Sequence, residues 1–228
     1  MSPMLSKVFY FCMYFINLCT SRIKADIYSE VAFNWCRIKG KGNKLVVHRA
    51  KMKDCTFRIK GNSNHFSCQS LFKKSHIHIE GENNRIIIEA GGELRHVDFW
   101  IRGNGNEIRI GKDMIFNGGR IVCVGTDNCV EIGDGCMFAD RIEIWASDTH
   151  PIYKDGQLIN QSRPISIGRN VWLGTNVSVL KGSRLRDGCV IGMGSVVSGE
   201  IPARTICVGN PARVIKEDVM WDKSTIPV

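Results

Sequence analysis

The stretch from Ile167 to Ala203, IGRNVWLGTNVSVLKGSRLRDGCVIGMGSVVSGEIPA, repeats one pattern throughout. Ile167, Leu173, Val179, Leu185, Ile191, Val197 and Ala203 recur every six residues. Four residues after each of the first six comes a second small or apolar residue: Val171, Val177, Ser183, Cys189, Ser195 and Ile201. A period of six fits neither an α-helix nor two-residue strand alternation. It fits a chain that turns a corner every six residues, three corners closing one coil. Successive coils would stack through parallel-strand hydrogen bonds about 4.8 Å apart. Glycines at 168, 174, 182, 188, 192, 194 and 199 supply turns where a β-carbon is costly at positive φ. The fold class is therefore all-β, a hexapeptide parallel β-helix.

Upstream, a longer and looser repeat appears in RIKGKGNKL (37–45), RIKGNSNHF (58–66), HIEGENNRI (78–86), WIRGNGNEI (100–108) and the degenerate VCVGTDNCV (122–130). Its asparagines, Asn43, Asn64, Asn84, Asn106 and Asn128, are spaced by 21, 20, 22 and 22 residues, against eighteen for three hexapeptides. Each of these coils thus carries a few extra residues at a corner. Stacked Gly-x-x-Asn corners suit left-handed turn conformations and an asparagine ladder. Apolar pairs two residues apart follow each corner, as in Leu45/Val47 and Ile86/Ile88, which places one strand face inward. The coil is expected to run from residue 37 to 206. It is preceded by a helical or apolar segment, 1–36, and followed by a turn and short helix or tail, 207–228.

The polar insertion SDTHPIYKDGQLINQSRP, 147–164, interrupts the six-residue register before it restarts at Ile165. A long loop on a rigid repeat scaffold is where chemistry is usually placed. VFYFCMYFINLC, 8–19, is too short to span a bilayer, which needs about 20 apolar residues. It reads as a helix packed on the coil or in an oligomer, an interfacial helix, or an uncleaved signal core. A cytoplasmic location follows, with peripheral contact at the inner face of a membrane through residues 8–19 as a further expectation.

Ten cysteines form no CxxC pair and read as small buried hydrophobes in a reducing compartment. The net charge of +9 is unevenly spread. Residues 1–130 hold 20 Lys/Arg against 11 Asp/Glu, and residues 131–228 hold 11 of each. Between Arg37 and Lys60 there are nine basic residues and one acid, Asp54. Such a patch points to a bound polyanion. Side chains about twenty residues apart stack in a coil, so Arg37 should lie over Arg58 and Lys39 over Lys60. His76 and His78 share a strand face and could in principle ligate a metal, but no Asp/Glu/Cys cluster accompanies them at a ligand spacing, and no metal is expected.

NVWLG, VSVLKG, VIGMGSVV and CVGNPARVIK resemble the ending of the left-handed parallel β-helix acyltransferases. SDTHPIY resembles the catalytic loop of the bacterial polysaccharide O-acetyltransferases in that class, including those acting on polysialic acid. The match runs from about residue 130 to residue 221; the first hundred residues are similar only in style. Left-handedness rests on the resemblance, since parallel crossovers in general are right-handed.

The resemblance implies a homotrimer that moves acetyl from acetyl-CoA to a sugar. It makes His150 the general base, a role suited to an imidazole that titrates near neutral pH. Asp148 either orients that imidazole or caps the loop. Trp172 lines the acetyl-CoA cleft or the acceptor site; by pattern alone it is an outward aromatic beside inward Val171. Gly174, Thr175, Gly192 and Met193 match the pantetheine contacts, and Arg213 and Lys216 the basic pair near the nucleotide phosphates. Relatives often have Thr-Lys-Asp where this chain has Ser198-Gly199-Glu200, so a phosphate-binding lysine is missing and Arg204 is the candidate substitute. Asn117 is an acceptor contact or a structural corner. Arg37, Lys39, Arg58 and Lys60 are the expected contacts to an acidic acceptor, with nucleic acid not an expected partner.

The function read from these residues is O-acetylation of a bacterial surface polysaccharide, capsule or lipopolysaccharide O-antigen. N-acetylation of a nucleotide-linked amino sugar shares the same histidine. A metal-dependent enzyme of the γ-carbonic-anhydrase type needs three histidine ligands where the loop offers His150 alone. A non-enzymatic polyanion-binding solenoid would use residues 37–60 without the loop.

Overall fold

The computed structural model describes residues 23–25, 29–32 and 34–226. The apolar run 8–19, with its three readings, lies outside the described residues. What is described is a three-sided coil of short strands without a helix. A first face stacks nine parallel strands, from Ile23–Ala25 to Glu200–Ile201. A second stacks nine parallel strands, from Glu30–Ala32 to Ile206–Gly209, and adds a tenth, antiparallel one. A third stacks eight, from Trp35–Lys39 to Val196–Val197.

The six-residue register holds from Ile165 to Val197, with partners eighteen apart, as in Ser166 beside Arg184 and Trp172 beside Val190. Every inward residue from Ile167 to Val197 is buried, as are the second-set residues from Val171 to Ile201. Ala203 departs from the pattern and is exposed. Gly199, at φ 99°, tightens the last corner, so Glu200 pairs with Arg184 and the final coil has 16 residues. The longer coils enclose phenylalanines, Phe57, Phe66, Phe72, Phe99, Phe116 and Phe138. After Ile165 the buried apolar residues are Ile, Val, Leu, Cys and Ala. Burying one such side chain contributes about 1.5–3 kcal/mol before conformational entropy is subtracted.

The Gly-x-x-Asn corners form a continuous ladder. Asn64 donates through its side chain to Asn43 Oδ1 at 3.1 Å and to Gly81 O at 2.8 Å. Asn84 and Asn106 repeat the pattern on the coils above. The ladder ends at Asn128, whose Nδ2 donates to Ala146 O at 3.0 Å. The glycine stack beside it admits no side chain. A β-carbon on Gly81, at φ 126°, would sit 2.0 Å from Gly103 O.

Two terminal expectations are corrected. Residues 23–25, 30–32 and 35–39 are strands rather than helix, so the coil starts before residue 37. Trp35, Arg37 and Lys39 are exposed while Cys36 and Ile38 pack on the core, an alternation hidden by the lack of a Gly-x-x-Asn corner before it. At the other end Ala212–Lys216 is a strand, not a helix, and pairs antiparallel with Ile206–Gly209. It covers the open edge that the last coil would present. The eight described cysteines are free thiols. Burial pushes the Cys136 and Cys189 thiols up to about 12, so they act as apolar filling. Among the described residues no helix is long and apolar enough to cross a membrane.

Candidate active site on two faces of the coil

The loop 147–164 leaves the corner after Ile142–Trp145 and carries a small hairpin, Tyr153–Lys154 against Gln157–Leu158. Its base is clamped. Asn160 Nδ2 donates to Asp148 Oδ2 at 2.8 Å and to His150 O at 2.9 Å, and Asn160 Oδ1 accepts from Ile152 N at 2.6 Å. The Lys181 ammonium bonds Asp148 and also donates to Asn160 O at 2.9 Å. Burial works to raise the Asp148 pKa, but the bonds from Lys181 and Asn160 outweigh it, and the carboxyl lies below its ordinary value. Of the two roles open to Asp148, the geometry is that of the loop anchor. Its carboxylate faces Lys181 and Asn160, and among the described residues no hydrogen bond joins it to the imidazole.

His150 lines a cavity of about 130 Å³ with Trp100, Arg102, Val122, Val124, Trp145 and Thr149. Trp145 is fixed by its indole N–H, which donates to Glu143 Oε2 at 2.6 Å. Arg102 Nη2 donates to Thr149 O at 3.2 Å and ties the loop to the third face. At the other end of the same strands lies a wider concavity of about 530 Å³. Asn117, Asn176, Arg120, Asp140 and Glu143 are in its wall. Asn117 sits at the corner between the second and third faces, where its N–H bonds Phe138 O at 3.1 Å, and is not in the cavity that His150 lines.

The basic patch also occupies the third face. Arg37 pairs in register with Arg58, and Lys39 with Lys60, as the spacing predicts. The column then changes character. Arg58 stands over the Trp35 ring with its guanidinium carbon 5.6 Å from the centroid, and Lys60 bonds Glu80 at 3.1 Å. Above them His78 meets Trp100 edge-on at 5.6 Å, and Glu80 is followed by Arg102. Burial lowers the His78 pKa, with Arg58 adding to it and Glu80 opposing.

The residues matched to the coenzyme lie on the second face and its exit corner. Trp172 points outward, 37% exposed, on the two-residue strand Trp172–Leu173. Gly174 follows, and a β-carbon there would lie 2.9 Å from Met193 N. Gly194 N donates to Thr175 O at 2.9 Å, stacking the two corners, and Met193 is 75% exposed beside them. Gly192 is spaced for packing, since a β-carbon would meet Val208 Cγ1 at 2.5 Å. Arg213 and Lys216 are exposed on the last strand and make no ion pair among the described residues. By contrast, Arg204 bonds Asp218 at 3.0 Å, so the candidate substitute for the missing lysine already has an anionic partner.

Lys181 lies in VSVLKG, Trp100 and Arg102 in WIRGNGNEI and Asn160 in the insertion, but the sequence assigns no role to them or to Trp145. Trp100 and Trp145 lie two coils apart in one outward column, Trp100–Val122–Trp145, which needs the 22-residue register to find. Among the described residues no cluster of three or more His, Cys, Asp or Glu is arranged for a metal ion.

The family model for the hexapeptide repeat of succinyl-transferase matches residues 164–198. The polysialic acid O-acetyltransferase of Neisseria meningitidis is 30% identical over 187 residues, covering 71% of this chain and 86% of that protein. The chain belongs to the hexapeptide-repeat acetyltransferase family. The crystal structure of the polySia-specific acetyltransferase NeuO superposes with a TM-score of 0.66 at 27% identity, covering 90% of each chain. The coil is thus the left-handed parallel β-helix of this family. The polysialic acid O-acetyltransferase of Escherichia coli O1:K1 is 33% identical over 53% of this chain and 39% of its own length. The chain spans about half the length of several curated relatives, 50%, 39% and 55% for three of them.

Proposed function

We propose that this protein transfers acetyl from acetyl-CoA to a hydroxyl of an acidic polysaccharide, acting as a homotrimer with active sites between subunits. One observation carries the reading. His150 lines a cavity on the third face, which also carries the Arg37/Arg58 and Lys39/Lys60 pairs, while Trp172, Arg213 and Lys216 lie on the second, with Thr175 and Met193 at its exit corner. Acceptor and coenzyme residues on different faces of a rigid prism meet when one copy's third face adjoins another's second. Similarity to the polysialic acid O-acetyltransferases supports the acceptor class.

His150 takes the proton of the acceptor hydroxyl as its oxygen attacks the thioester carbonyl, a contribution of roughly 10²–10⁴-fold. The tetrahedral intermediate collapses with loss of the coenzyme thiolate, and the imidazolium returns its proton to that sulfur. No acyl-enzyme is required. Exposed Met193 offers an apolar surface to the pantetheine arm. Arg213 and Lys216 are placed to receive phosphates at the far end. The bond from Arg102 and the anchor at Asp148 keep the imidazole over the Trp100–Trp145 cavity.

The test is incubation of the protein with acetyl-CoA and polysialic acid, scoring O-acetyl groups by NMR and free coenzyme thiol in parallel. Ester formation on the polymer is expected. Acetylation of a nucleotide-linked amino sugar, with none on the polymer, would assign N-acetyl transfer instead.

A further inference from the structure

After Lys216 the chain runs back along the corner where the first face turns into the second. Val219 N donates to Arg204 O at 2.9 Å, and Arg204 bonds Asp218 at 3.0 Å. Further on, the Trp221 indole N–H donates to Asn170 O at 2.8 Å, and the Lys223 ammonium bonds Asp113 O. These acceptors belong to one stack of corners. Arg204 N bonds Asp187 O, Gly188 N bonds Arg169 O, Asn170 N bonds Asp134 O, and Gly135 N bonds Lys112 O. At a strand spacing of about 4.8 Å per coil, the segment ties down roughly 19 Å of that edge.

What the strap brings to the second face is Trp221. Its ring lies 5.7 Å from that of Trp172, tilted at 45°. The contact braces one side of Trp172, which stays 37% exposed on the other. A lone outward indole on a two-residue strand would sample several rotamers and lose that freedom when a ligand docks. We propose that Trp221 is a positioning residue: held by the strap, it fixes the Trp172 indole as a ready-made wall of the acetyl-CoA site. This rests on Trp172 lining that site. Bracing fits better than occlusion, because Trp221 has its own polar partner in Asn170 O and leaves part of Trp172 open.

The test is acetyl-CoA affinity of the full chain by calorimetry, which needs no acceptor. Trp221→Ala should weaken binding by roughly 3- to 10-fold, the loss expected when a side chain must be ordered on binding. Trp221→Phe should restore most of it. Trp172→Ala with Trp221→Ala should bind no worse than Trp172→Ala alone, since the brace acts only through Trp172. Lys223→Ala loosens the strap while keeping both indoles, and should weaken binding in the same direction. Normal affinity in Trp221→Ala and Lys223→Ala, with Trp172→Ala impaired, would overturn the brace alone. Tighter binding in Trp221→Ala would overturn it by making the strap an occluding segment. If Trp172→Ala binds normally, the assignment of the coenzyme wall fails, and the brace with it.

Discussion

His150 and Asp148 are two residues apart, yet their side chains face different partners, so substitutions separate chemistry from loop anchoring. With the imidazole acting on the acceptor proton as proposed, His150→Ala should lower turnover by roughly 10²-fold or more and leave acetyl-CoA binding nearly unchanged. Steady-state kinetics with a parallel binding titration checks both halves. Asp148→Asn should act on stability. The Asp148 carboxyl is held below its ordinary value by Lys181 and Asn160 against the opposing effect of burial. A depressed carboxyl stabilises the fold above its unfolded pKa, about 3.9, and loses that contribution as pH falls through the folded value below it. The melting-temperature difference between wild type and Asp148→Asn should therefore be constant from neutral pH to about pH 5 and shrink below about pH 4. Asp148 is partly exposed, so the effect should stay below about 1 kcal/mol. A difference that grows on acidification would contradict the ion pair with Lys181. His150 was legible because SDTHPIY is a local motif. Lys181 was not, because it comes from the next coil, 33 residues beyond Asp148.

At the scale of the coil, the asparagine ladder makes a graded prediction. Asn84 is fully buried; it gives its amide to Asn64 Oδ1 and Gly103 O and receives two bonds from Asn106. Asn43 begins the ladder, is only half-buried, and donates to Gly61 O at 2.9 Å. Removing Asn84 leaves buried donors and an acceptor without partners, each costing about 1–3 kcal/mol. Asn84→Ala should thus destabilise by about 2–4 kcal/mol and Asn43→Ala by clearly less, measured by denaturant unfolding. Equal costs would mean that burial does not set the energy of the ladder. The spacing of these asparagines made the coil readable, because each Gly-x-x-Asn corner carries its own turn chemistry. The ends were harder to read. The strands Ile23–Ala25 and Glu30–Ala32 have no such corner before them, and Gly199 shortens the final coil so that Ala203 falls in a turn. Repeat counting follows the period and misses the place where a single glycine changes it.

The whole molecule places one sign of charge at one end of one face. Arg37 over Arg58 and Lys39 over Lys60 are like-charge neighbours across adjacent strands, an arrangement that costs stability when nothing anionic is bound. The column is only partly offset, by Glu80 against Lys60 and by Trp35 under Arg58. From there to the His150 cavity the same face carries His78, Trp100 and Arg102, and His78 adds little charge because burial holds its pKa down. A carboxylate-bearing polymer with a hydroxyl at His150 would run along this face toward the basic end, gaining from each cation and from steered association. Exposed charges are screened over about 8–10 Å at physiological salt. The acceptor KM should therefore rise steeply between low and moderate salt, while the acetyl-CoA KM moves far less. Changing Arg37, Lys39, Arg58 and Lys60 together to Glu should raise the acceptor KM further and flatten its salt dependence. Light scattering should give a trimer, as proposed; a stable, active monomer would remove the need for a second copy's coenzyme face. A salt-insensitive acceptor KM, with binding to anionic liposomes abolished by the same four changes, would give this end of the coil to a membrane surface instead.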